Sequence, residues 1–213
     1  MEVAELRPGL WRWTAYHEEW RKDVGCVYYE APDAVVLIDP LVPPERAEAK
    51  RFWDALDRDV KRAGSPVHVL LTVFWHARSS RDIVDRYGAR LWSNAAQRRR
   101  IRNRAGDPTD VFELDDRLPG GIRAFDAHRK GEVLLWIPRH RTLVAGDVLL
   151  GSPFRLCPRS WLPRDVTPEQ LREGLRPLLD LRAVRVLVSH GEPVLRNGHA
   201  ELERVLAYAP SAA

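Results

Sequence analysis

Three short apolar segments of this chain each end in a residue that can bind a metal ion. The segments are IRAFDAH, TLVAGD and VRVLVSH, and they end at His128, Asp147 and His190. Apolar runs of this length predict buried strands. In α/β proteins the ends of neighbouring strands meet at one edge of a sheet, where ligands bind. We therefore expect an α/β fold in which these three side chains lie in one cleft.

The rest of the chain alternates between strand-like and helix-like segments. Apolar runs bounded by Gly and Pro predict strands at 10–14, 24–30, 34–39, 68–72, 90–93, 122–127, 133–137, 143–145 and 184–188. Helical periodicity and capping residues predict helices from just after Pro44 to about residue 63, and at 80–87, 95–104, 168–181 and 199–208. Thr167 is the expected N-cap of the fourth helix. This pattern predicts one α/β domain over residues 1–213, with mixed sheets.

The composition of the chain indicates which class of protein it belongs to. Of the 213 residues 45% are hydrophobic and 30% are charged, as in ordinary globular proteins. No apolar run reaches the roughly 20 residues that span a bilayer, and the N-terminus has no apolar signal core, so we expect a cytoplasmic protein without a membrane partner. Cys26 and Cys157 are too few for a disulfide scaffold. The net charge of +4 includes 30 acidic residues, which argues against nucleic acid as the partner.

The junction between the strand predicted at 68–72 and the helix predicted at 80–87 carries the sequence VFWHAR at residues 73–78. The order of the segments, from VVLIDP at 35–40 to SHGEP at 189–193, resembles the metallo-β-lactamase superfamily. That resemblance implies a four-layer αββα sandwich, in which two mixed sheets face each other beneath outer helices. Members of that family carry His-x-His-x-Asp-His at this junction. In this chain the four ligand positions of the motif hold other residues, namely Val73, Trp75, Ala77 and Arg78.

The resemblance assigns a role to each remaining polar residue. His128 matches a ligand of the first metal, His190 matches a ligand of the second, and Asp147 matches the carboxylate between them. Two metals in such a site lie roughly 4 Å apart. Asp39, in the strand that ends LIDP, matches a carboxylate that braces the ligand loop, although an Asp before Pro40 is also a common turn residue.

The altered junction predicts a dinuclear metal site that has been dismantled. Val73, Trp75 and Ala77 cannot ligate a metal, and Arg78 places a fixed positive charge where a ligand should be. We expect Arg78 to pair with Asp147 in place of the metal, and the Trp75 indole to fill the vacated space. No cofactor is expected. If one ion binds, it would be zinc, manganese or iron at His128, Asp147 and His190.

Two further residues belong to the predicted cleft. His76 stands at a spacer position of the motif, where its side chain should point differently from a ligand. It is expected to be a buried structural histidine, or else part of a polar anchor with Arg78 and Asp147. Glu192 follows His190 and is either an acid–base residue of the cleft or a loop residue.

Three functions are compatible with these features. The first is a hydrolase-like protein that has lost the metal-hydroxide route and binds a small molecule or a partner protein. The second is a hydrolase of esters, thioesters or amides that uses a single metal. The third is a nucleic-acid-processing relative. The Arg-rich segment at 98–104 has no interleaved aromatic residues, so we expect a solvated helix face there and not an RNA-binding surface.

Overall fold

The computed structural model describes residues 1–114 and 116–207, and within them two β-sheets lie face to face. The larger sheet has its strands in chain order. Its first four strands pair antiparallel, and the fourth to seventh pair parallel. The strands described in this sheet are β1 (Val3–Arg7), β2 (Leu10–His17), β3 (Lys22–Glu30), β4 (Val35–Ile38), β5 (Val67–Leu70), β6 (Arg90–Asn94) and β7 (Asp110–Phe112).

The smaller sheet comes from the second half of the chain. Its order is β13-β10-β9-β8, and its pairs are antiparallel except for the parallel pair β10–β13. A separate short hairpin follows β10. The strands described here are β8 (Arg123–Asp126), β9 (Val133–Ile137), β10 (Thr142–Ala145), the hairpin strands β11 (Leu149–Leu150) and β12 (Arg155–Leu156), and β13 (Arg185–Val188).

Helices cover the outer face of each sheet. The α-helices are α1 (Arg46–Ala63), α2 (Ser80–Tyr87), α3 (Arg98–Ala105), α4 (Pro168–Leu175) and α5 (Gly198–Leu206). Short 3-10 helices lie at Phe74–Ala77, Ala95–Gln97, Pro119–Gly121, Pro138–His140, Arg159–Trp161 and Arg176–Leu181. Among the described helices, none combines the length and the apolar character needed to cross a bilayer.

Alternation of buried side chains along the strands produces four layers. In β4, Val36 and Ile38 face the core between the two sheets, whereas Val35 and Leu37 pack with the helices α1 to α3. In β9, Leu135 points into the same central core, whereas Leu134 packs beneath the helices α4 and α5. Successive residues of a strand point to opposite faces, so strands buried on both faces are apolar throughout. The predicted αββα architecture of two mixed sheets is confirmed.

Differences from the predicted elements have local causes. The strands β1, β7, β11 and β12 were not predicted. Four of the five residues of β1 are exposed, and the other three strands have only two or three residues each. The predicted helix up to residue 181 is α4 followed by a 3-10 helix, because Pro177 has no N–H to donate within an α-helix. The predicted N-cap is confirmed, since Thr167 forms a capping box with Gln170. The predicted end of the last helix at Tyr208 lies outside the described residues.

Close backbone contacts join the two sheets at one edge. The Gly25 N–H donates to the Ser189 carbonyl at 2.8 Å, and the Val133 N–H donates to the Thr72 carbonyl at 2.9 Å. In the turn after β10, a Cβ on Gly146 would lie 2.6 Å from Thr72 Oγ1 and 2.9 Å from Glu132 Oε1, so only glycine fits there. This packing places the turn that carries Asp147 directly against the loop after β5.

Candidate functional site

A buried carboxylate, Asp39, organises the loop after β5. Its Oδ1 accepts the Thr72 N–H at 2.8 Å, and its Oδ2 accepts the Thr72 hydroxyl at 2.5 Å. The same Oδ2 lies 2.8 Å from Nδ1 of His76. A carboxylate that accepts several hydrogen bonds in a buried position fixes the groups that donate to it. Asp39 therefore sets both the start of the loop and the orientation of the His76 ring.

His76 points into the protein and is completely buried. The motif spacing predicted a different direction, but the loop forms a 3-10 helix at Phe74–Ala77 with about three residues per turn, so alternation does not apply. The Nε2 atom of His76 lies 3.3 Å from Asp147 Oδ1. Burial and the nearby Arg78 lower the pKa of His76, but the two carboxylates outweigh them and raise it.

Asp147 lies between two imidazole rings. Its Oδ1 is 3.1 Å from Nε2 of His190 and 3.3 Å from Nε2 of His76. Its Oδ2 accepts the indole N–H of Trp75 at 2.8 Å. Burial by itself would raise the pKa of Asp147, but the two imidazoles outweigh it and hold that pKa far below its usual range. The carboxylate is therefore ionised at neutral pH.

The donor atoms of His76, Asp147 and His190 are close enough together to be candidate ligands of a single metal ion. They all lie within 4.8 Å of one another. His76 Nε2 and Asp147 Oδ1 are buried, and within the described part of the chain neither makes a hydrogen bond, because the short contacts are not aligned as donor and acceptor. Zinc–ligand bonds of about 2.0–2.1 Å in a tetrahedral site separate neighbouring ligand atoms by roughly 3.3 Å. The two separations from Asp147 Oδ1, 3.1 and 3.3 Å, are near that value, and the two histidine donor atoms lie within 4.8 Å of each other.

Glu132 holds the backbone of Asp147 in place, and this role was not predicted from the sequence. It is fully buried, and its Oε1 accepts the N–H groups of Asp147 and Val148 at 2.7 and 2.8 Å. Its other oxygen pairs with Arg129. Burial raises the pKa of Glu132 to about 7, against the opposing effect of Arg129. The sequence did contain a signal for this role, because Glu132 stands directly before the wholly apolar strand β9 and is therefore placed to be buried.

Arg129 is the guanidinium that lies beside Asp147. Its Nη1 is 3.9 Å from Asp147 Oδ2. Its guanidinium carbon lies 5.2 Å from the ring centre of Trp75 and 5.7 Å from that of Trp161. Such cation–π contacts hold a guanidinium in place. Trp75 and Arg129 together therefore occupy the side of Asp147 that faces away from the two imidazoles.

The predicted convergence of three ligands is wrong for His128. A Cβ on Gly174 of α4 would lie 2.6 Å from the ring of His128, which shows that the ring packs against that helix. The His128 N–H donates to Asp126 Oδ1 at 2.8 Å, and this tight turn, with φ of 52° at His128, directs the ring away from the cleft. Within the described residues the group of possible metal ligands contains His76 and not His128.

The predicted pairing of Arg78 with Asp147 is also wrong. Arg78 donates to the Asp39 carbonyl at 2.9 Å and to the Ser189 hydroxyl at 2.7 Å. The oxygens of Asp147 already face Trp75 and the imidazoles, whereas these two acceptors lie within reach of the guanidinium. Arg78 therefore joins the two sheets. The polar anchor consists of His76 with Asp39 and Asp147, and does not include Arg78.

Glu192 does not contribute to the predicted cleft. Glu192 is exposed, and its backbone N–H donates to the Ser152 hydroxyl at 3.2 Å. It lines a separate pocket together with Arg12 and Asp23. Gly191 has φ of 82°, and this turn carries the chain away from the site directly after His190.

Asp147 and His190 line a cleft of about 500 Å³, whereas His76 is fully buried and does not line it. Trp20, from the turn between β2 and β3, lies 5.7 Å from the ring of His76 and 5.8 Å from that of His190 between centroids. The indole therefore covers one side of both imidazoles. The residues lining the cleft are Trp20, Lys22, Trp75, Arg129, Lys130, Asp147, Ser160, Trp161 and His190.

Comparison with known proteins finds similarity in structure alone. No protein-family model matches this chain, and no curated protein sequence does. A metallo-β-lactamase from Pontibacter korlensis superposes with a TM-score of 0.71 at 16% identity, over 96% of this chain and 98% of that one. A metallo-β-lactamase from Hirschia baltica superposes with a TM-score of 0.66 at 16% identity, over 96% of this chain and 95% of that one. One from Erythrobacter litoralis, with β-mercaptoethanol in its active site, gives 0.70 at 14% identity, over 96% and 93%.

Removal of the Glu132 side chain should destabilise the protein strongly. Glu132→Ala leaves Arg129 buried without its partner and two backbone N–H groups without an acceptor. We expect the free energy of unfolding, measured by urea denaturation, to fall by about 3–5 kcal/mol. Glu132→Gln keeps one acceptor oxygen and should cost about 1–3 kcal/mol. Glu5→Ala, at an exposed position on β1, is the control and should change stability by no more than about 0.5 kcal/mol. An unchanged urea midpoint in Glu132→Ala would contradict this account of the site.

Proposed function

We propose that this chain, which has the metallo-β-lactamase fold, is a hydrolase that uses one divalent metal ion held by His76, Asp147 and His190. The observation that supports the proposal is the convergence of these three donor atoms, which lie within 4.8 Å of one another, with both histidine nitrogens 3.1–3.3 Å from Asp147 Oδ1. Zinc is the first candidate, because two imidazoles, a carboxylate and an open position are a common catalytic zinc site.

Asp39 prepares His76 for this role. When the Nδ1–H of His76 is donated to Asp39, the lone pair of the ring lies on Nε2, which is the atom nearest Asp147. Metal-binding histidines usually donate their second ring N–H to a carboxylate or a carbonyl, which fixes the tautomer and the ring orientation. The pair Asp39–His76 has this arrangement, so its geometry supports a ligand role for a residue at a spacer position of the motif.

The surroundings of Asp147 favour one ion over two. On the side away from the imidazoles the carboxylate meets the Trp75 indole N–H and the Arg129 guanidinium, 3.9 Å from Oδ2. A divalent ion placed there would meet a fixed positive charge at short range. Val73, at the first ligand position of the family motif, is fully buried and apolar. The site of one metal is therefore packed, while the site of the other has gained a new ligand.

The residues around the proposed metal site have separate roles. An ion bound there supplies Lewis-acid polarisation of an ester, thioester or amide carbonyl and activation of water. Trp75 fixes one oxygen of Asp147 by its N–H, and Glu132 fixes the backbone of the same residue. Trp20 shields the two imidazoles from solvent. The faces of Asp147 and His190 that line the cleft leave room for a substrate.

A second candidate is a metal-free binding protein with the same fold. The observation in its favour is that Asp147 already accepts one N–H and has the Arg129 guanidinium nearby. The His76 and His190 rings would then lie against the other oxygen of Asp147 without a metal between them. Such a protein would bind a small molecule or a partner in the cleft without hydrolysing it. The metal content of the protein distinguishes the two candidates.

We expect the purified protein, after dialysis against zinc and removal of excess ion, to retain close to one equivalent by elemental analysis. His76→Ala should lose this zinc, because the site then keeps two protein ligands. His128→Ala is the matched control and should retain it, since that ring packs against α4. Absence of zinc from the wild type, or equal loss in the two variants, would contradict the assigned ligands and favour the metal-free candidate.

Hydrolysis should depend on the same residues. We expect zinc-loaded protein to hydrolyse at least one of 4-nitrophenyl acetate, S-phenyl thioacetate and 4-nitroacetanilide faster than free zinc does. A chelator should abolish this activity, and added zinc should restore it. Asp147→Asn should lower kcat/KM by at least about tenfold, and His128→Ala should leave it near the wild-type value. Activity that survives chelation would contradict the metal-dependent route, and failure to hydrolyse any of the three would contradict the enzymatic role.

A further inference from the structure

The cleft beside the three donors carries an excess of positive charge. Lys22, Arg129 and Lys130 line it, and the only carboxylate among its lining residues in the described chain is Asp147. Asp147 faces the metal-ligand group, and its Oδ2 is held by Trp75. A concave site lined by charge of one sign attracts ligands of the opposite sign. The charge of this cleft therefore favours an anion.

Two of the three cations are available to a ligand. Arg129 is buried and pairs with Glu132, so its charge is largely balanced. Lys22 lies at the start of β3, and Lys130 lies in the turn between β8 and β9; both residues are exposed. Within the described ranges neither ammonium group forms an ion pair, whereas Lys50 of α1 pairs with Asp54 at 2.6 Å. Lys22 and Lys130 thus present uncompensated charge at the rim of the cleft.

Aromatic rings form the walls of the same cleft. Trp75 and Trp161 both contact the Arg129 guanidinium, at 5.2 and 5.7 Å from its carbon to the ring centres. Trp20 stacks on His17 with the ring planes 9° apart and the centroids 4.0 Å apart. Rings held in this way offer flat apolar surface at low entropic cost. A volume of about 500 Å³ lies within the usual range of about 300–1,000 Å³ for small-molecule pockets.

We propose that the substrate is a small organic anion with a flat apolar body, whose carboxylate or phosphate group pairs with Lys22 and Lys130 while the body lies between the tryptophans. This inference deepens the proposed function, on which it rests for the position of the scissile bond near His76, Asp147 and His190. The charged end of the molecule lies at the rim, and the bond to be cleaved lies at the inner end of the cleft.

The four lysines of the chain allow a matched test. Lys22→Gln/Lys130→Gln removes the two charges at the cleft, and Lys50→Gln/Lys61→Gln removes two charges from α1, so both double variants have the same net charge. Binding of 2-naphthoate, 2-naphthyl phosphate and neutral 2-naphthamide is measured by isothermal titration calorimetry, at low and high salt. Each protein is measured after treatment with a chelator and again after loading with zinc.

We expect wild-type protein to bind one or both anionic probes more tightly than 2-naphthamide, with an advantage that shrinks in high salt. Loss of two partly exposed ion pairs should raise the Kd for the anionic probes by roughly threefold to thirtyfold in the cleft double variant. The Kd for 2-naphthamide should not change in that variant, and the α1 double variant should bind all three probes as the wild type does. The better of the two anions identifies the charged group as carboxylate or phosphate.

Equal affinity for the anionic and neutral probes, or equal behaviour of the two double variants, would overturn the inference. An anion preference that appears only with zinc and does not depend on Lys22 and Lys130 would show that the anion binds the metal, which overturns the inference but leaves the proposed function standing. An anion preference in chelator-treated protein that depends on the two lysines supports the inference even if zinc fails to bind, in which case only the metal-dependent function is lost.

Discussion

The site depends on the buried carboxylate of Asp39. It accepts two hydrogen bonds from Thr72 and contacts His76 Nδ1, so it fixes the conformation of the loop after β5. A buried carboxylate without partners would be costly, which ties the loop conformation to these contacts. His76 in turn reaches Asp147, whose backbone is held by Glu132. One chain of polar contacts therefore runs from the larger sheet to the smaller one through the site.

The two oxygens of Asp147 have different surroundings. Trp75 donates its indole N–H to Oδ2, and the Arg129 guanidinium lies 3.9 Å from the same oxygen. Oδ1 lies near Nε2 of His76 and Nε2 of His190, and these are the donor atoms that we propose to hold the metal. A guanidinium beside a carboxylate can balance its charge as a metal ion would, whereas Nε2 of His76 and Oδ1 of Asp147 are buried without a hydrogen-bond partner among the described residues.

Apolar periodicity predicted the helices and most of the strands, because it reports which faces are buried, whereas the four layers were implied by the family resemblance. The sequence also placed Asp147 and His190 correctly at strand ends. It failed for side-chain direction at tight turns. His128 and Arg78 have positive φ, and His76 lies in a 3-10 helix, so motif spacing does not determine where these side chains point. Glu132 was overlooked because its role depends on the approach of a turn that follows it by 15 residues.

We propose that His76, and not His128, completes a single metal site with Asp147 and His190. Anomalous diffraction from crystals of zinc-loaded protein, with data above and below the zinc absorption edge, tests it most directly. We expect one strong anomalous peak at bonding distance from His76 Nε2, a carboxylate oxygen of Asp147 and His190 Nε2. A peak bonded to His128, a second peak on the Trp75 side of Asp147, or no peak among the three donors would contradict it.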